Sequence, residues 1–146
     1  MDHYEARLRE LGVTLPTLPK PIANYVPAKR SGNLVFTAGQ VSSANEVEYK
    51  GKLGDNLAVA DAQAATRACV INCLAAIKAQ IGSLGRIKQV LAVHGLVNRT
   101  LECGDQALAM NGASDLSSIS LETPEGTFAR RQELRVFQWG LQRRPI

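Results

Sequence analysis

The longest regular pattern in the chain is a stripe of mostly apolar residues between positions 57 and 81. These residues recur at the three-to-four spacing of one helix face: Val59, Ala62, Thr66, Cys69, Val70, Cys73, Ile77 and Ile81. The many alanines of the segment favour helix formation and allow close packing on a sheet. Residues 57–81 are therefore predicted to form one long helix that ends at Gly82.

A shorter helical pattern is present over residues 2–11, where Asp2 can cap the helix and Gly12 is expected to end it. Its apolar face consists of Tyr4, Leu8 and Leu11. A linker follows in which prolines fix the backbone and remove amide donors, so helix is excluded there. These prolines are Pro16, Pro19, Pro21 and Pro27.

Runs rich in β-branched and aromatic residues predict the strands. Residues 34–38 follow a Ser-Gly-Asn turn and are predicted to form a buried strand, which ends or bulges at Gly39 and Gln40. Residues 47–49 indicate a second strand. Residues 87–97 are predicted to form a third strand with two distinct faces.

Residues 103–116 are predicted to be helical again, with Leu108 and Ala109 directed inward. After the N-terminal helix, the predicted order is strand, strand, helix, strand, helix. A final strand would complete an α+β sandwich, in which the helices cover one face of a mixed β-sheet. At 146 residues, the chain is expected to be a single domain that spans residues 1–146.

The net charge is +4, and much of the basic excess lies near the C-terminus. The residues concerned are Arg130, Arg131, Arg135, Arg143 and Arg144. A basic balance can indicate a nucleic-acid partner, but the sequence has no basic stripe with interleaved aromatic residues. RNA is therefore not the expected partner.

The number of cysteines and the length of the apolar runs indicate in which cellular compartment the protein is expected. Cys69, Cys73 and Cys103 make an odd number, and residues 1–10 are charged throughout, unlike a signal peptide. No apolar run approaches the roughly 20 residues that a membrane span needs. A reduced, cytoplasmic setting without membrane association is expected.

Few residues are candidates for catalysis or metal binding from their type and spacing alone. Cys69 and Cys73 are four apart on a helix, but both lie on its apolar stripe, and no histidine or second cysteine pair completes a zinc set. His94 could act as a general base, although a lone strand histidine is more often a packed or rim residue. Tyr25 and Asn111 are polar residues to which spacing alone assigns no role. No metal or cofactor is expected.

Four segments share their order and spacing with a known family. Residues 20–28 read Lys-Pro-Ile-Ala-Asn-Tyr-Val-Pro-Ala, and residues 31–40 read Ser-Gly-Asn-Leu-Val-Phe-Thr-Ala-Gly-Gln. After the alanine-rich helix come Arg-Ile-Lys-Gln-Val at 86–90 and Asn-Gly-Ala-Ser-Asp-Leu at 111–116. Over about residues 15–116, the chain resembles the Rid family of reactive intermediate deaminases, also called YjgF or endoribonuclease L-PSP-like proteins.

The resemblance implies a chorismate-mutase-like α+β fold and a homotrimer with ligand clefts between neighbouring subunits. Members with the activity hydrolyse 2-imino acids, or their enamine tautomers, to 2-oxo acids and ammonia without metal or cofactor. An arginine on the strand after the second helix of the family fold holds the substrate carboxylate, a task that suits a bidentate guanidinium. Backbone groups near the Gly-Gln turn orient substrate and water, so catalysis is largely positioning.

Carried over by matched position, the cleft of this chain would be lined by Tyr25, Gly39, Gln40 and Asn111. Ala38 stands where the family often has serine or threonine, which removes a hydroxyl group. The implied partners are further copies of the chain and a small 2-imino acid.

The match breaks after Leu116. Relatives continue with an apolar helix end and a Gly-Arg-His-Ala-Arg-Ser-Ala stretch, whereas residues 117–146 are rich in Ser, Pro, Gln and Arg. When the third base of each codon is read with the first two of the next, synonymous codons permit Gly-Arg-His-Val-Arg over residues 125–129. The family stretch then returns in register, which indicates a frameshift after Leu116; a divergent C-terminus is the alternative.

The altered tail displaces the carboxylate-binding arginine. Ala129 would occupy its position, and Arg130 is the nearest candidate for the same catalytic role. A shift of one residue along a strand turns a side chain to the opposite face, so low activity is expected. Residues 131–139 can still pair as a strand but bring charge toward the sheet, which predicts weaker folding or trimerisation.

Three functions stay open at this point. The first is an imine or enamine hydrolase with doubtful activity in this chain. The second is a small-molecule binder that uses the same cleft without turnover. The third is an RNA-acting protein, which the older family name suggests.

Overall fold

The computed structural model describes residues 3–18, 24–44 and 47–120, together with the backbone of residues 133–138. Its helices are α1 (His3–Glu10), α2 (Val59–Ile81), α3 (Gln106–Ala109) and α4 (Asn111–Ser120). Its strands are β1 (Ala28–Ser31), β2 (Leu34–Thr37), β3 (Ser43–Ala44), β4 (Val47–Glu48), β5 (Ala92–Val97) and β6 (Glu133–Gln138). Arg130, the candidate for the carboxylate-binding role, lies outside the described residues.

Helix α2 is the element on which the rest of the molecule packs. It starts two residues after the predicted position, because Ala58 has extended backbone angles. Gly82 ends it at a φ of 82°, where a residue with a side chain would be strained, and donates its amide to the Lys78 carbonyl. Strands β1, β2 and β3 pack against α2, as do α3 and α4. The predicted long helix is confirmed.

The strands pair in both directions. β1 and β2 form an antiparallel hairpin that pairs Ala28 with Thr37, with Gly32 at a positive φ in its turn. β3 and β4 form a second antiparallel pair, and β5 pairs with β6 in parallel. The prediction of antiparallel and parallel pairing with packed helices is confirmed, and so is a strand within residues 131–139.

The core lies between the helices and the turn that follows α2. Its largest fully buried side chains are Leu8, Leu53, Leu84 and Leu116. Helix α1 is tied to α2 by an ion pair of 3.0 Å between Glu5 and Lys78. Of the three residues predicted on its apolar face, Tyr4 and Leu8 are buried, and Leu11 lies just after the helix and is partly buried against the core.

Three details of the strand and helix predictions are wrong. The strand predicted over residues 34–38 is not buried in the single chain, because Leu34 is 44% and Phe36 61% exposed. The strand predicted from residue 87 begins only at Ala92, and residues 87–91 have no regular secondary structure. Leu108 is half exposed rather than inward, whereas Ala109 is fully buried as predicted.

Strands β1 and β3 were not predicted from the sequence. The sequence of β1 is Ala-Lys-Arg-Ser, and it becomes a strand because β2 supplies its hydrogen-bonding partners. Polar residues on an outer strand carry no apolar alternation by which they could be recognised.

The sequence break at Leu116 does not coincide with the end of a helix. Helix α4 continues to Ser120, and Leu116 itself is fully buried. Ser117 is also buried and donates its hydroxyl to the Ala113 carbonyl at 2.8 Å, one turn back in the helix. The single helix predicted over residues 103–116 is therefore wrong at both ends: it begins at Gln106, is interrupted at Met110 and extends to Ser120.

Candidate functional site

The β1–β2 hydrogen bonding continues one step past its last strand pair, toward the Gly39–Gln40 turn. The Ala38 amide donates to the Pro27 carbonyl at 2.9 Å, one step beyond the Ala28–Thr37 pair. Continued for two further residues, the same register would place Tyr25 opposite Gln40, although residues 25–27 and 38–40 are not paired as strands. Tyr25 is 46% exposed, so its ring is available on the surface of the single chain.

The backbone at Gly39 is open. A Cβ atom built on Gly39 would meet no other atom within 4 Å, and its φ is not in the left-handed region. The Gln40 side chain folds back and donates to the Ala38 carbonyl at 3.4 Å. An approaching ligand could therefore reach the α-carbon of Gly39, whereas the Gln40 amide covers the carbonyl of the preceding peptide group.

The hydroxyl that Ala38 lacks is not replaced by its neighbour. Thr37 donates its hydroxyl to the Cys73 sulfur at 3.7 Å, so this group points to helix α2. On the other side of the turn, the Asn72 amide of α2 donates to the carbonyls of Val41 and Ser43. The turn is thus attached to α2 both before and after Gly39 and Gln40.

Asn111, the first residue of α4, is exposed and held near a different stretch of α2. Gln63 donates to the Leu108 carbonyl at 3.0 Å, and Thr66 donates to the Ala109 carbonyl at 2.7 Å. These anchors precede Asn72 by six to nine residues, which corresponds to roughly 9–14 Å along the helix axis. In the described part of the chain, the Gly39–Gln40 turn and Asn111 are thus held at different stretches of α2.

The remaining candidate base, His94, lies on β5 with an exposed side chain. In the parallel register its backbone pairs with that of Arg135 on β6.

Cys69 and Cys73 are neutral thiols at ordinary pH. Burial raises the pKa of Cys69 to about 11, and the neighbouring Cys73 adds to the shift. Burial also raises the pKa of Cys73, against the opposing effect of the hydrogen bond from Thr37. Since metals bind the thiolate, this environment does not favour a metal at the pair. Within the described ranges, no group of three His, Cys, Asp or Glu residues is placed to hold a metal ion.

Alkylation of Cys69 by iodoacetamide at pH 8 is expected to be about 100-fold slower than that of an unperturbed thiol. A pKa of about 11 in place of 9.0 lowers the thiolate fraction by that factor, and the thiolate is the nucleophile. The rate is measured by mass spectrometry of the Cys69 peptide, with the urea-unfolded chain as control. Equal rates in the folded and unfolded chains would contradict the raised pKa.

The strands carry large apolar side chains on their exposed surface. The main ones are Leu34, Phe36, Val41, Val47, Leu91 and Leu96. The sequence signal for them was the β-rich run that predicted a buried strand. Single apolar residues on a surface are ordinary, but these are numerous on the strands and their flanks. No helix in the described part of the chain is long and apolar enough to cross a membrane.

A family model described as "YjgF/chorismate mutase-like, putative endoribonuclease" matches residues 5–131. The match includes the Tyr25 and Gly39–Gln40 segments and extends past Leu116. Protein TCP17 of Trypanosoma cruzi is 37% identical over 113 residues, which cover 76% of this chain and 70% of that protein.

Two solved structures share the fold. The protein Atu1372 of Agrobacterium tumefaciens, of unknown function, has a TM-score of 0.80 and 36% identity, over 94% of this chain and 83% of that one. A "putative endoribonuclease" of Shewanella oneidensis has a TM-score of 0.81 and 30% identity, over 92% of this chain and 87% of that one. The chorismate-mutase-like fold implied by the sequence resemblance is confirmed.

Proposed function

Because this chain belongs to the YjgF/chorismate-mutase-like family, we propose that its site binds 2-imino acids or their enamine tautomers and hydrolyses them to 2-oxo acids and ammonia. In this reaction water adds to the imine carbon, and the resulting carbinolamine loses ammonia as the carbonyl forms. No metal, cofactor or oxidant is needed to balance it. Tyr25, Gly39, Gln40 and Asn111 are the proposed substrate-binding residues.

The open space at the Gly39 α-carbon is the observation that carries this proposal. A small planar substrate needs hydrogen-bonding groups that are fixed in place and not covered by a side chain. Nothing lies within 4 Å of a Cβ position on Gly39, and the turn is attached to α2 on both sides. Such a preorganised backbone suits catalysis by positioning a water molecule and a substrate.

A homotrimer is part of the proposal, because one chain leaves the site incomplete. Asn111 is held at another stretch of α2 than the Gly39 turn. A neighbouring copy could supply the missing wall and would cover exposed apolar residues such as Phe36 and Leu96. The proposed cleft therefore lies between two subunits.

The activity of this chain is proposed to be low. The family arginine that holds the substrate carboxylate has no equivalent at Ala129, and Arg130 is one residue out of register. On a strand, that offset directs a side chain to the other face. Substrate would then bind without the bidentate partner that fixes its carboxylate.

An assay with a 2-imino acid tests the proposal directly. The imine is generated in place by an amino acid oxidase, and release of ammonia and 2-oxo acid is followed against the spontaneous rate. The chain is expected to accelerate release weakly, and Tyr25→Ala or Gln40→Ala should remove the acceleration. Gln80→Ala, at an exposed position near the end of α2, is the matched control. Acceleration that survives both site substitutions would contradict the proposed site.

Further assays on the same purified protein distinguish two other functions from the proposed one. A non-catalytic binder would bind a 2-oxo acid without any acceleration of imine hydrolysis. An RNA-acting protein is favoured by one observation, the likeness to the Shewanella oneidensis protein named as an endoribonuclease. It would bind RNA with an affinity that falls steeply as salt rises, and would cleave it.

A further inference from the structure

Asn72 is a polar residue at a buried position in the middle of α2. Its exposed fraction is only 9%, and the residues before and after it in the buried face are apolar. Ser117, the other buried polar residue of the described ranges, bonds within its own helix. Asn72 instead reaches a different segment, since it bonds to Val41 and Ser43, about 30 residues earlier in the chain.

The contacts of Asn72 define what its side chain does. The amide nitrogen lies 3.2 Å from the Val41 carbonyl oxygen and 2.5 Å from the Ser43 carbonyl oxygen. Both partners can only accept, so the nitrogen rather than the oxygen of the amide must face them. Its two hydrogens match the two carbonyls, and together they fix the backbone direction on both sides of Ser42.

These bonds act immediately after the Gly39–Gln40 turn. Val41 follows Gln40 directly, and the next residue, Ser42, is locked to Tyr49 through two hydrogen bonds of 2.6 and 2.9 Å. The segment after the turn is therefore hydrogen-bonded both to α2, through Asn72, and to Tyr49.

We propose that Asn72 is a positioning residue for the candidate substrate site, holding the backbone of Val41 and Ser43 so that the Gly39–Gln40 turn keeps its ligand-binding shape. It does not touch substrate and acts only through that backbone. This role rests on the proposed function, because it assumes that the turn binds substrate. An apolar residue at position 72 would leave two carbonyls without the donors they now have, so the segment would move to regain hydrogen bonds with water.

The test compares Asn72→Leu with Gln80→Leu in the full chain. Both replace an amide by leucine on α2, but Gln80 is exposed. Two backbone amides report on the segment by hydrogen exchange: Ala38, which donates to Pro27, and Tyr49, which donates to Ser42. In Asn72→Leu, exchange at these amides is expected to be about tenfold faster, whereas Gln80→Leu should leave it unchanged.

Binding provides the second readout, with 2-oxobutanoate as a stable probe for the substrate class. Titration of the unsubstituted chain should shift the Gly39 and Gln40 amide resonances. The affinity is expected to fall at least about fivefold in Asn72→Leu and to stay unchanged in Gln80→Leu. Amides in the middle of α2 report whether the variant is still folded; if Asn72→Leu does not fold, Asn72→Ser retains one donor and replaces it.

The outcomes separate this role from the proposed function. If the unsubstituted chain does not bind 2-oxobutanoate, the proposed function is wrong and the role of Asn72 at a substrate site falls with it. If the chain binds the probe but a folded Asn72 variant binds it equally well, only the positioning role is overturned. A uniform rise of exchange along α2, without a larger rise at Ala38 and Tyr49, would also overturn it.

Discussion

A chain whose codons after Leu116 are read one base out of the present frame is expected to hydrolyse a 2-imino acid about 100-fold faster than the present chain. The shifted frame restores the family's Gly-Arg-His-(Ala/Val)-Arg stretch, with an arginine at the position of Ala129. Loss of a desolvated guanidinium–carboxylate pair costs about 3 kcal/mol, within the usual range for such pairs. Since about 1.4 kcal/mol corresponds to a factor of ten, the gain in kcat/KM is about 100-fold.

Two further variants separate the arginine from the rest of the tail. Ala129→Arg in the present frame is expected to recover only part of the activity, because the residues around it stay altered. A frame-restored chain carrying lysine at the same position should bind the substrate carboxylate but lack the bidentate geometry. If the frame-restored chain is no more active than the present one, the carboxylate role assigned to this position is wrong.

The frameshift itself is decided by the gene. The codons after Leu116 should spell the family stretch when read one base out of frame; if they do not, the tail is a divergent C-terminus. Size-exclusion chromatography with light scattering adds a physical readout. The restored chain is expected to form a stable trimer, and a stable trimer of the present chain would contradict the expected weakening of assembly.

Gly112→Ala is expected to lower the free energy of unfolding by about 3 kcal/mol, at the upper end of the usual cost of overpacking. A Cβ atom at position 112 would overlap the Gln63 carbonyl of α2, far inside van der Waals contact. The obstacle is helix backbone rather than the end of a flexible side chain, so α4 would have to move away from α2. Urea unfolding followed by circular dichroism measures the loss.

The matched control for this substitution is Gly104→Ala. Gly104 precedes α3, and a Cβ atom there would meet nothing within 4 Å. The free energy of unfolding of the Gly104→Ala variant is expected to stay within about 0.5 kcal/mol of that of the original chain. Equal stabilities of the Gly112 and Gly104 variants would show that α4 can shift at little cost.

The element predicted most accurately from the sequence is the long helix, because its apolar residues repeat with a regular helical spacing. The apolar stripe along residues 57–81 and the glycine at position 82 predicted the ends of α2 to within two residues. The strand at residues 34–38 was found, but not its exposure, because a pattern of apolar residues does not say which molecule will cover them. Strand β1 was missed because its hydrogen bonds depend on β2 rather than on its own residues.

The candidate site was predictable in part. Resemblance named Tyr25, Gly39 and Gln40, and the β1–β2 pairing runs toward both of their segments. Asn72 was missed, since an asparagine in an otherwise apolar helix face has no periodic signal. Its role depends on a pairing with residues 41 and 43 that only the folded backbone creates.

The parallel pairing of β5 with β6 sets an order for folding. β5 ends at Val97, and its partner begins only at Glu133, so helices α3 and α4 are made before the pair can form. During synthesis on the ribosome, the edge of β5 that pairs with β6 stays unpaired until residues 133–138 have been made. Whatever tail the reading frame supplies is thus the last part to dock, and a faulty one would leave a nearly complete domain with an open strand edge for chaperones or proteases to recognise.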